Sequence, residues 1–102
     1  MQRGVLRTLD GGRVGFFCPG CREMHQVRVE GDGRPRWGFN GDYERPTFTP
    51  SVLLRLPGAL ESGARRPDFV CHSFVTDGQI QFLGDCTHDL RGQVVPIPKP
   101  EI

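Results

Sequence analysis

The chain has 102 residues, 36% of them hydrophobic, with fourteen Gly, nine Pro, four Cys and a formal net charge of +1. That is the length of one domain with a small core. Thirteen basic residues face twelve acidic ones, and no basic block exceeds Arg65-Arg66, so the electrostatic footprint of a nucleic-acid binder is missing.

The elements read in chain order as short strands between turns. Val5 to Thr8 is a first strand, Asp10-Gly11-Gly12 a turn, and Arg13 to Phe17 a second strand running into Cys18-Pro19-Gly20-Cys21. His25 to Val29 alternates, with Val27 and Val29 on one face. Trp37 to Phe39 is a short strand before the loop from Asn40 to Pro46. Ser51 to Leu56 (SVLLRL) is strand-like and suited to burial on both faces. Residues 57–67 are expected as a flexible polar loop. Phe69 to Thr76 and Gln79 to Leu83 flank Asp77-Gly78, a strong signal for a two-residue type I′ hairpin. Gln93 to Ile97 is a last strand, ended by a Pro-rich tail over 96–102. One helical turn is expected near His88 to Arg91. The reading is all-β: a small single domain spanning 1–102, a sheet or sandwich of short antiparallel strands with a zinc knuckle.

The four cysteines carry the chemistry. Cys18 and Cys21 form a C-x-x-C knuckle, Cys71 and Cys86 lie on the two arms of the hairpin, and each of His25, His72 and His88 lies within four residues of a cysteine. The opening MQRGVLRTLDGG has no apolar signal region, and no run nears the roughly 18 apolar residues of a membrane span. A reducing bacterial cytoplasm is therefore expected, where C-x-x-C reads as metal or redox chemistry rather than a structural disulfide. A redox motif wants a helix after its first cysteine, and Pro19-Gly20 points to a turn instead. Zinc takes four S/N ligands tetrahedrally and would tie together a chain this poor in core.

The Asp77-Gly78 turn fixes a register. Thr76 opposes Gln79, Val75 opposes Ile80, Ser73 opposes Phe82 and Cys71 opposes Gly84, all but the first pair on an inward face. Cys86 shares that parity and lies diagonal to Cys71, with Gly84 leaving room for the approach. The leading ligand set is therefore Cys18, Cys21, Cys71 and Cys86. A mixed set, with His25 or His88 replacing one thiolate, is the alternative, and buried thiols without metal the third. The same parity places His72 on the opposite face, with Phe74, Gln81 and Asp85.

Two function classes follow. Four thiolates leave zinc without an open position, which suits a structural zinc in a binding module with a protein partner. The other class is a hydrolase or reductase using His72, Asp85 and His88, with a His–Asp pair doing acid–base work.

The segments CPGCREMH, WGFNGDYERPTFTPSV and CHSFVTDGQIQFLGDCTHDLRGQVVPIP resemble a family of small proteins of tailed bacteriophages and prophages, often labelled "ammonia monooxygenase". The resemblance runs from about Phe16 to Pro98. An oxygenase of that kind is a membrane assembly, which a chain without a span does not fit. The resemblance implies a phage-encoded protein inside the host cell, partnered by a host or phage protein, possible inhibition of a host system included. At the level of fold, the C-x-x-C is also similar to that of β-tent proteins, in which a four-cysteine zinc clips two β-layers.

Overall fold

The computed structural model describes residues 2–56, 58–61, 63–66 and 68–99. Eleven short strands follow the alternation of the sequence: β1 (Gln2–Arg3), β2 (Leu6–Leu9), β3 (Arg13–Cys18), β4 (Glu23–Arg28), β5 (Gly38–Phe39), β6 (Phe48–Leu56), β7 (Ala59–Glu61), β8 (Ala64–Arg66), β9 (Phe69–Thr76), β10 (Gln79–Phe82) and β11 (Val94–Pro96). They form a four-stranded sheet in the order β1-β2-β3-β4, a five-stranded sheet in the order β11-β10-β9-β6-β5, and the separate pair β7-β8. Every pairing is antiparallel. The fold is all-β, as the residue pattern predicts.

One core lies between the two larger sheets. Leu6, Val14, Phe16, Cys18 and Val27 face it from the first sheet; Phe48, Val52, Cys71, Val75, Ile80 and Phe82 face it from the second. Phe16 and Phe48 stack across the gap with ring centroids 6.0 Å apart. Burying a side chain of this size contributes about 1.5–3 kcal/mol, and alternation along each strand delivers such a residue at every second position.

The predicted hairpin forms in its predicted register. Thr76 pairs with Gln79, Val75 with Ile80 and Ser73 with Phe82. Asp77 (φ 50°) and Gly78 (φ 76°) both take the left-handed conformation that a type I′ turn requires. The ladder closes with Leu83 N–H donating to the His72 carbonyl at 2.9 Å.

Three local expectations change. The described part of 57–67 is a paired hairpin, β7 with β8, rather than an irregular loop; Pro57, Ser62 and Pro67 lie outside the described residues. The tail is described as far as Lys99. Residues 88–91 form a hydrogen-bonded turn, Arg91 N–H to His88 O at 3.3 Å, and no helix occurs among the described residues. None there is long and apolar enough to cross a membrane. β6 is not buried on both faces: Val52 points into the core, while Leu53 is 54% exposed.

Candidate active site and metal centre

The inner faces of three strands converge on a cluster of sulfur and imidazole. Cys18 ends β3 on the parity of Val14 and Phe16, His25 shares the buried face of β4 with Val27, and Cys71 lies inward on β9. Cys21 closes the knuckle, whose amide N–H donates to Cys18 Sγ at 3.4 Å. Cys18 Sγ lies 3.7 Å from Cys71 Sγ, and Cys21 Sγ lies 3.3 Å from His25 Nε2. The ligand atoms of Cys18, Cys21, His25 and Cys71 all fall within 4.8 Å of one another, near enough to surround one cation.

A second group, Cys71, Cys86 and His88, meets the same 4.8 Å limit. Of the four cysteines expected together, three join His25 in the first group, and Cys86 stands in the second. His88 Nδ1 accepts from Leu90 N–H at 3.2 Å, which leaves Nε2 as the protonated nitrogen of the neutral ring; Nε2 donates to Cys71 Sγ at 3.3 Å. His88 therefore supports a sulfur of the first group. Its ring packs on Phe82 at 4.6 Å, and a Cβ at Gly20 would meet it at 2.4 Å, so Gly20 is where the knuckle admits it. Gly84 has open space around it, so the crowding expected there is not what selects glycine.

The electrostatics of the cluster follow from burial and from a proton shared between thiols. The Cys71 thiol donates to Cys18 and lowers its pKa to about 4. Burial pushes Cys21 up to about 12. Cys71 is raised well above the usual thiol range, because Cys18 holds its proton and because it is buried. Without metal the cluster is one thiolate among thiols; a divalent ion would drive the remaining protons off.

The opposite face of the five-stranded sheet holds a different constellation. His72 projects outward from β9, as the hairpin parity predicts, and its Nδ1 lies 3.0 Å from Asp85 Oδ2. Its Nε2 lies 2.9 Å from Ser51 Oγ. With Asp85 ionised, Nδ1–H donates to the carboxylate and Nε2 accepts from the serine hydroxyl. Serine, imidazole and carboxylate thus stand in a relay.

Ser51 is placed by an irregularity in β6. Between the pairs Phe48–Val75 and Val52–Ser73, β6 advances four residues while β9 advances two. Pro50 has no N–H for the ladder, and the surplus residues bulge, a device that re-aims side chains beside active sites. The Ser51 carbonyl is anchored by the Trp37 indole N–H at 3.2 Å.

Of the residues weighed as catalytic, the structure brings His72 and Asp85 together and sets His88 on the inner side, against Cys71. Ser51 is the residue that sequence reasoning missed. A lone serine after Pro50 carries no spacing signal, and only the pairing of β6 with β9 brings it to His72.

No curated protein and no solved structure matches the chain. One family model does, over residues 2–83, a span that contains Ser51, His72 and three of the cysteines and stops two residues short of Asp85. Matching four-fifths of the chain, it shows that this protein belongs to the BubE family of bacterial ubiquitination-like system serine proteases.

Proposed function

We infer that the protein is a serine peptidase of a bacterial ubiquitination-like system, with Ser51 as nucleophile, His72 as general base and acid, and Asp85 as the group that orients the imidazole. The observation that carries this reading is the pair of contacts on one ring: Ser51 Oγ to His72 Nε2 at 2.9 Å and His72 Nδ1 to Asp85 Oδ2 at 3.0 Å. Ser51 Oγ attacks the scissile carbonyl carbon as its proton passes to Nε2. The C–N bond then breaks, and the leaving amine takes that proton. Water, deprotonated by His72, hydrolyses the acyl-serine and returns the proton to Ser51.

The substrate is an extended polypeptide laid over the outer face of the five-stranded sheet. Asp85 is 57% exposed, so the relay stands in water until something covers it. Leu53, directly opposite His72 on β6, and Phe74, two residues along β9, are 54% and 44% exposed and offer apolar contact beside the serine.

Zinc is the metal we assign to Cys18, Cys21, His25 and Cys71. Three sulfurs and one imidazole suit its tetrahedral preference and close its coordination shell, so it serves the fold and not the chemistry.

A fluorophosphonate probe followed by peptide mapping tests the reading. Adduct on Ser51, lost in Ser51→Ala with the fold and metal content unchanged, is expected. A zinc-loaded protein that gives neither adduct nor peptide cleavage overturns it and favours the accessory binding module suggested by the sequence.

A further inference from the structure

Two of the triad residues are chain neighbours of cysteines: His72 follows Cys71, and Asp85 precedes Cys86. Cys71 belongs to the four-ligand group. The thiol of Cys86 is engaged elsewhere, on both main-chain groups of His72. Cys86 Sγ accepts from His72 N–H at 3.2 Å and donates to the His72 carbonyl at 3.2 Å.

The turn that bears Asp85 is fastened to β9 on either side of that contact. Leu83 N–H donates to the same His72 carbonyl at 2.9 Å. Thr87 N–H donates to Val70 O at 2.9 Å, and Val70 N–H donates back to Thr87 Oγ1 at 3.0 Å. Cys86 is buried, at 3% exposure, directly beside a carboxylate that is mostly in water. An exposed imidazole–carboxylate pair gains little from its own attraction, because water screens it. Its geometry has to come from the backbone that carries it.

We propose that Cys86 is a positioning residue for the acid–base pair, its thiol clamping the His72 backbone to the turn that carries Asp85, so that Nδ1 and Oδ2 meet before substrate arrives. Cys86 then serves the outer face of β9 from the inner side and is not a ligand of the four-residue metal group. This rests on the peptidase reading and extends it, and it explains why the fourth cysteine, though buried, stands outside that group.

The test compares Cys86→Ala and Cys86→Ser with the parent, in zinc-loaded full-length protein, by labelling rate at Ser51, peptide kcat and KM, and metal content. Cys86→Ala keeps its zinc and its KM and loses about tenfold or more in labelling rate and kcat, since small misplacements of catalytic groups are costly. Cys86→Ser retains a donor and an acceptor and restores the rate to within about threefold. The low-field proton NMR signal of the His72–Asp85 hydrogen bond weakens in Cys86→Ala and returns in Cys86→Ser. Parent-rate labelling of Cys86→Ala overturns this inference alone, as does loss of zinc in step with loss of activity, which would make Cys86 a ligand. A parent protein that never labels at Ser51 brings down the peptidase reading and this inference with it.

Discussion

The two faces of β9 carry two kinds of chemistry one residue apart. Inward, Cys71 is buried among thiols and imidazoles from the other sheet, where its proton is a liability until a cation replaces it. Outward, His72 is part-exposed and stands between Ser51 and Asp85, where the proposed peptidase reading has it move protons. The pleat separates them: adjacent residues on a strand point to opposite sides, so the proposed metal site and the proposed acid–base site do not compete for ligands. On the proposed reading, the first site ties the two sheets together and the second needs only one of them.

Substitutions should pull the two faces apart. The largest effect belongs to the metal side. Cys18→Ser should lose zinc and unfold the domain, because a structural zinc contributes roughly 10–16 kcal/mol of apparent binding energy; melting curves and elemental analysis check this. His72→Ala should do the reverse, keeping zinc and melting temperature while activity falls by about a thousandfold or more. Asp85→Asn should cost less, about ten- to a hundredfold in kcat, because the exposed carboxylate is partly replaced by water.

Acid should also act on one face first. From neutral pH up to about 12, where Cys21 ionises, metal binding displaces the protons of Cys21 and Cys71. Apparent zinc affinity then falls roughly a hundredfold per unit of pH decrease, ten for each proton, and zinc release under a chromogenic chelator measures it. The smallest change is Phe74→Ala, expected to raise KM roughly fivefold with kcat unchanged, as a half-exposed ring loses about 1 kcal/mol of apolar contact with substrate.

Much of this was legible before any coordinates. Asp77-Gly78 fixes the hairpin, the hairpin fixes parity, and parity alone sends Cys71 inward and His72 outward toward Asp85. The knuckle was equally plain, and in the structure the amide of Cys21 donates to Cys18 Sγ. What was left open or missed depends on which segments pair and which side chains then meet. His25 joins the cluster because β4 pairs with β3, Phe16 opposite His25. Cys86 turns to the His72 backbone because the chain leaves the strand after Phe82. Ala59–Glu61 pairs with Ala64–Arg66 although the composition around them reads as loop. Ser51 was read only as the start of a hydrophobic strand, since nothing near it in the chain shows which residue it will meet.

The surplus in β6 has a consequence for how this chain can vary in length. Because the excess over β9 is an even number of residues, Phe48 before it and Val52 after it both keep their places in the interior. Removing a single residue between them would reshape the bulge and move the hydroxyl relative to His72, leaving Ser51, His72 and Asp85 unaltered in identity. A shift in spacing at this point would therefore silence the proposed peptidase as surely as removal of the hydroxyl.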